Sequence, residues 1–149
     1  MCLTFHDSIF CIVISWFQYI KNIASLVSGS TNNHRVVTFK SGFDWLDIYF
    51  TPGTPNFAEP KKRTDAGNLF KQKLSFNFPG ESSDYLDDLS DLDELPVIVR
   101  IEYENTVVKL IGSDKIPAYF GSSAKSNSNA TGDTFQFTCS STHRALLLQ

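Results

Sequence analysis

Between Leu69 and Cys139 apolar and polar residues alternate in repeated runs, and a period of two produces strands with one buried and one wet face. Phe70, Gln72, Leu74, Phe76 and Phe78 share one face of the first run, with Lys71, Lys73, Ser75 and Asn77 opposite. Val97, Val99, Ile101 and Tyr103 oppose Arg100, Glu102 and Glu104 in the same way. Phe135, Phe137 and Cys139 oppose Thr134, Gln136 and Thr138. Several such strands in one chain predict an antiparallel β domain. At 149 residues the chain has the size of one domain and can bury a core without metals or disulfides. The 13 Phe residues suit pleated, half-buried surfaces and support the β reading.

Charge and cysteine use narrow the function classes. A net charge of −3 without a long Lys/Arg run disfavours nucleic acid as the dominant partner, since phosphate neutralisation needs a concentrated basic face. Cys2, Cys11 and Cys139 are odd in number and lack CxxC spacing, which fits neither a zinc knuckle nor a disulfide framework. Cys139, on an apolar strand face, reads as a small core residue in a chain made in a reducing compartment.

Ile9 to Phe17 is a continuous apolar run, too short for the roughly 20 residues of a membrane helix. No Lys or Arg precedes it, as a secretory signal requires. A cleaved signal or anchor is the lesser reading, beside a buried terminal strand or helix and a start codon placed too far upstream. Residues 1–18 are therefore set apart as an apolar extension, and 19–149 as a single β-rich domain.

Within 19–149, Tyr19, Ile20, Ile23, Ala24 and Val27 have the spacing of a short helical face. Arg35–Lys40 and Phe43–Phe50 read as strands joined at Ser41-Gly42, the second apolar on both faces. Thr51–Asn68, carrying Pro52, Pro55 and Pro60, reads as a loop with a basic tip at Lys61, Lys62 and Arg63. After Pro79-Gly80, Ser82 can cap a helix to about Glu94 with Tyr85, Leu86, Leu89 and Leu92 as its apolar stripe. Seven of the chain's 16 acids fall in Glu81–Glu94, but a calcium loop would need a central Gly where leucines stand, so a solvated acidic face is expected. Val97–Tyr103 pairs with Val107–Ile111 through Glu104-Asn105-Thr106, with Asn tolerating the left-handed backbone of the turn. Ile116–Phe120, Phe135–Cys139 and His143–Leu148 complete the strands, and the Ser/Asn-rich Gly121–Gly132 reads as a flexible loop. The expected architecture is mainly β, a β-sandwich or partly rolled antiparallel barrel of about seven strands, with one internal acidic helix and a short N-terminal helix.

The sequence carries no HExxH, His-x-His, GxSxG or Gly-rich phosphate motif. Cys139 and His143 share strand parity, yet the Ser140-Ser141-Thr142 turn between them works against a nucleophile–base pair. Glu102 and Glu104 read as surface charges beside Arg100. No catalytic, cofactor-binding or metal residue is assigned, and no enzyme is expected.

Three stretches together resemble small virion structural proteins of tailed phages and prophages of Bacteroidales-type bacteria. They are Gly67–Leu74 ending in Pro79-Gly80, Tyr103-Glu104-Asn105 with Lys109–Gly112, and Phe137–Ala145. The likeness covers about Tyr19 to the end. It implies a tail, neck or tail-tube component that forms rings with itself and with other virion proteins. It also implies residence in the virion, and in the host bacterial cytoplasm during assembly, with no cofactor, membrane or specific nucleic-acid partner. Trp45, Tyr49 and Phe50 on the doubly apolar strand, and Lys61, Lys62 and Arg63 at the loop tip, are the interface candidates. The acidic Glu81–Glu94 face would repel DNA sliding through a lumen. The alternative is a β-sandwich recognition module for glycan or protein, with Trp45, Tyr49 and Tyr119 as stacking residues.

Overall fold

The computed structural model describes residues 2–5, 8–28, 34–77, 92, 95–127 and 130–148, with backbone alone over 2–5, 8–11, 13–16, 122–127 and 130–133. In chain order the strands are β1 (Cys2–Phe5), β2 (Ser8–Tyr19), β3 (Ile23–Ser28), β4 (His34–Phe39) and β5 (Leu46–Asp47). β6 (Asn56–Ala58), β7 (Lys61–Thr64), β8 (Gly67–Asn77) and β9 (Val97–Tyr103) follow. β10 (Val108–Ile111), β11 (Tyr119–Asn127), β12 (Ala130–Ser141) and β13 (Leu146–Leu148) complete the chain.

These strands make two sheets. The larger runs β1-β2-β9-β10-β13-β4-β3, with β5 added to β2; the smaller runs β11-β12-β8-β6, with β7 also on β8. The described pairs are antiparallel apart from β13 on β4, which is parallel. Alternation does what the sequence demands of it. Phe70, Gln72, Leu74 and Phe76 of β8 are buried while Lys71 and Lys73 are exposed. The inward faces of both sheets meet in one core: Phe17 from β2 lies 6.1 Å, ring to ring, from Phe137 of β12, and Phe137 lies 6.2 Å from Phe76. Aromatic rings packed this way add dispersion to the hydrophobic gain. The fold is thus mainly β with two sheets on a shared core, as the alternation requires.

The apolar run Ile9–Phe17 is part of this architecture. It lies within β2, which pairs with the central strand β9 from Ile12↔Tyr103 to Tyr19↔Val97, and Ile12 and Phe17 sit in the core.

Several expectations require correction. The helix expected over Tyr19–Val27 is a single 3₁₀ turn at Ile20–Asn22 followed by β3. Nine residues make a marginal helix, whereas β-branched Ile23 and Val27 favour extended backbone and find partners in Phe39 and Val36 of β4. Of the expected acidic helix, residues 81–91 and 93–94 lie outside the described residues; Leu92 is buried in a turn, its carbonyl accepting the Leu95 N–H at 3.2 Å. No α-helix occurs among the described residues.

The strand expected over Phe43–Phe50 shrinks to Leu46–Asp47, and β9 takes the central place instead, with Val97, Ile98 and Val99 all fully buried. Half of the Pro-rich stretch Thr51–Asn68 is sheet: β6 and β7 both pair with β8, which itself begins at Gly67. Its prolines stand between short edge strands rather than inside a ladder, where sheets tolerate them. Of the Ser/Asn-rich Gly121–Gly132, residues 121–127 and 130–132 are strand, with β11 paired to β12 from Tyr119↔Thr138 to Asn127↔Ala130. A ladder needs only backbone donors and acceptors, which polar residues supply as well as apolar ones. Ile116 precedes β11, and Ala118 makes an isolated bridge to Val97. The last strand is confined to Leu146–Leu148.

In the Tyr103–Val107 turn the left-handed residue is Thr106, φ +65°, rather than Asn105. The Thr106 N–H donates to the Tyr103 carbonyl at 2.9 Å, and Asn105 accepts the Val107 N–H through Oδ1 at 3.2 Å. Asn105 thus serves the turn through its side chain.

Candidate functional site

Of the six residues singled out from sequence, three lie on a strand of one sheet and three flank a strand of the other. Lys61, Lys62 and Arg63 lie on exposed strand β7 of the smaller sheet, not on a loop tip. Lys61 and Arg63, at alternate positions, line a shallow depression with Gly67 and Asn68. Trp45, Tyr49 and Phe50 flank β5, which belongs to the larger sheet. Trp45 is half-buried, edge-on to Phe39 at 5.1 Å, and lines a small cavity with Val37, Arg100 and Leu148. Phe50 is half-buried against the core, 6.4 Å from Phe76. Tyr49 alone of the three is open to solvent, at 61% exposure.

A site that sequence did not single out lies between the sheets at one end. A cavity of about 380 Å³ is walled by Leu26, Arg35 and Leu110 of the larger sheet and by Gln72 and Cys139 of the smaller. The loops at Ser113–Ile116 and His143-Arg144 close its sides. Cavities of this size take small molecules.

Gln72 is the unusual residue in the wall. It is 3% exposed, and its Nε2 donates to the His143 carbonyl at 3.1 Å. That bond fixes the amide orientation, because the reverse would set two acceptors face to face. Its Oε1 is buried and has no hydrogen-bond partner among the described residues. The sequence did hold the signal: Gln72 is a polar residue within the apolar face between Phe70 and Leu74.

Cys139 and His143 both line this cavity, but their side chains serve other partners. The Cys139 thiol donates to the Ile116 carbonyl at 3.5 Å, and the His143 ring lies 3.0 Å from the Thr142 hydroxyl. Burial pushes the Cys139 thiol up, with the Gly112 backbone opposing weakly, which is the reverse of what a nucleophilic thiol needs.

The chain matches no family model, no curated protein and no solved structure.

Beside the cavity a second group of charges ties the sheets together. Lys109 Nζ of β10 lies 5.2 Å from the Phe57 ring centre and 5.6 Å from that of Tyr103. Burial lowers the Lys109 pKa, Glu59 opposing and Arg144 adding to the effect. Tyr103 is pushed up to about 12, by burial first and then by the Glu59 carboxylate. Glu59 accepts the Ala145 N–H, and Arg144 stacks 5.5 Å over Phe70. This arrangement is cross-sheet packing of cations on aromatic faces. Among the described residues no three His, Cys, Asp or Glu side chains are grouped to hold a metal, and no helix is long and apolar enough to cross a membrane.

Proposed function

We propose that the chain is a non-enzymatic structural component of a tailed-phage virion, a tail, neck or tail-tube subunit that forms rings with its own copies and with other virion proteins. The observation that carries this reading is the segment around β5. There Phe43 is 47%, Leu46 43% and Tyr49 61% exposed, three large apolar side chains within seven residues. Contiguous exposed apolar surface is a mark of association. β3 and β11 each end a sheet and present backbone groups for strand addition, the contact by which small β domains join. The likeness of Gly67–Leu74, Lys109–Gly112 and Phe137–Ala145 to virion proteins supports the same reading. On it, the protein works in the virion and in the host bacterial cytoplasm during assembly.

The test is light scattering and electron microscopy of the purified protein across concentration. Rings or concentration-dependent oligomers, weakened by Phe43→Ser with Tyr49→Ser, are the expected result. Monomers under all conditions, with no virion protein co-purifying, would overturn it.

A second reading, a recognition module for glycan or protein, is favoured by the cavity at Gln72 and by the exposed rings of Tyr49 and Tyr119. Glycan-array binding that disappears in Tyr119→Ala would favour it over ring assembly.

A further inference from the structure

We infer that the β7–β8 hairpin is a contact for duplex DNA, a basic two-stranded ribbon that stands in the major groove with one face toward each phosphate backbone. Charge is segregated along the chain. Residues 60–77 hold five of its 13 Lys and Arg residues, Lys61, Lys62, Arg63, Lys71 and Lys73, against one of its 16 acids, Asp65. The attraction for a polyanion is therefore concentrated on this element of an otherwise acidic chain. Among the described residues the ion pair is Arg100 with Glu102, so none of the five cations is paired with a carboxylate there. Phosphate neutralisation needs a concentrated basic face, and the pairing of β7 with β8 supplies the one that a loop would not.

The ladder places these cations on both sides of one thin element. Ser141↔Phe70 is the last pair between β12 and β8, while β7 continues along β8 from Lys61↔Phe70 to Thr64↔Gly67. Among the described pairs, residues 67–69 thus have β7 as their one strand neighbour, and Lys61 through Asn68 are all exposed. Residues directly opposite in an antiparallel pair share a face. Lys62 therefore stands with Leu69, Lys71 and Lys73. Lys61 and Arg63 stand on the other face, where they line the shallow depression with Gly67 and Asn68. The Thr64 hydroxyl donates to the Gly67 carbonyl at 2.8 Å and closes the tip. A major groove about 12 Å wide admits a two-stranded ribbon, and both of its walls are phosphate backbones. Cations on two faces match two walls, whereas an acidic protein surface would meet one. No aromatic ring stands between Lys61 and Leu69 to stack an unpaired base, which disfavours a single strand. Duplex RNA has a major groove too narrow for side chains to read. B-form DNA, held through its phosphates without base readout, is the polyanion that fits.

The contact is independent of ring assembly, since Phe43, Leu46 and Tyr49 lie around β5 of the larger sheet. The experiment is fluorescence anisotropy of a labelled DNA duplex of about 20 base pairs, two helical turns, titrated with the full chain across KCl concentration. The single strand, the RNA duplex and polyglutamate are the comparison probes. The DNA duplex is expected to bind with a slope of log K on log[KCl] of about −4, as contacts to about four phosphates give. The other three probes are expected to bind at least about tenfold more weakly. Lys61→Ala with Arg63→Ala on one face, and Lys62→Ala with Lys71→Ala on the other, are each expected to weaken duplex binding at least about tenfold. Each pair lowers the slope by about 2 and leaves oligomer size unchanged. Lys115→Ala, outside the ribbon, is expected to change neither. Should a double variant fail to fold by circular dichroism, Lys62→Ala and Arg63→Ala decide singly, each lowering the slope by about 1. Absent or salt-independent binding, equal affinity for any comparison probe, a loss confined to one face, or an equal loss in Lys115→Ala would overturn the assignment.

Discussion

The Cβ that Gly112 lacks would stand 2.8 Å from the amide nitrogen of Ala118. Gly112 follows β10 with φ +84°, beneath the bridge in which Val97 and Ala118 exchange hydrogen bonds of 2.9 and 2.8 Å. An added methyl would also lie 3.2 Å from the Val97 carbonyl, so relief would require breaking a backbone pair in the core. Gly112→Ala combines left-handed strain with this clash and is expected to destabilise the protein by about 2–4 kcal/mol. Urea unfolding followed by circular dichroism measures it. A loss under about 1 kcal/mol, less than an overpacked core normally suffers, would show that the bridge yields easily.

Two hairpins solve one geometric problem with different residues. Each turn ends on a residue with positive φ: Gly67, +116°, after Asp65-Ala66, and Thr106, +65°, after Glu104-Asn105. Glycine adopts this backbone without a Cβ penalty, whereas a β-branched residue is strained there by roughly 1–2 kcal/mol. Thr106→Asn keeps the turn's hydrogen bonds and is expected to raise stability by about 1 kcal/mol. A lower thermal midpoint for Thr106→Asn would mean that the threonine has a compensating contact.

These cases mark where the sequence was legible. Phe70 to Phe76 could be read residue by residue, since alternation is imposed by the pleat itself, whereas in Val97 to Tyr103 the central place of the strand buries Ile98 on the opposite face as well. Edges were harder. β3 carries Ile23 to Val27, the end of a run from Tyr19 that also satisfies a helical period, and only the neighbouring Val36 and Val37 decide for extension. β6 and β7 were hidden by Pro55 and Pro60, which punctuate rather than forbid short edge strands. The cavity was least legible. Leu26, Gln72, Lys115 and Arg144 are far apart in the chain, and only the packing of the two sheets joins them.

Two buried glutamines offer a controlled comparison. Gln18, 2% exposed, accepts the Tyr19 N–H and Asn22 Nδ2, each at 2.9 Å, and donates to the Asp44 carbonyl. Its network pins the 3₁₀ corner to the segment before β5. Gln18→Leu strands Asn22, itself buried, and is expected to cost about 2–4 kcal/mol. Gln72→Leu loses one bond but also removes an unpaired acceptor, so its change is expected to stay within about 1 kcal/mol. Denaturation midpoints of the two variants check the contrast, and equal losses would argue that Gln72 Oε1 is satisfied in solution.

Tyr103 carries the clearest pH dependence. Its side chain is 2% exposed, its hydroxyl has no partner among the described residues, and its pKa is pushed up to about 12. In the unfolded chain the phenol titrates near its ordinary value of about 10. Because the folded pKa is the higher, the contribution is complete below about pH 10 and is lost as pH rises toward 12. The loss is on the order of 2 kcal/mol. Lys109, whose pKa burial lowers, works in the opposite sense as the pH approaches the ordinary lysine range, and it remains in the variant. Tyr103→Phe keeps the ring beneath Lys109 and removes the titrating hydroxyl. It is expected to gain about 1 kcal/mol at neutral pH, by relief of an unpaired polar group, and to lose its share of the alkaline decline. Chemical denaturation of both proteins across the alkaline range gives the difference directly. Parallel curves above about pH 10 would place the phenolate in contact with water in the folded state.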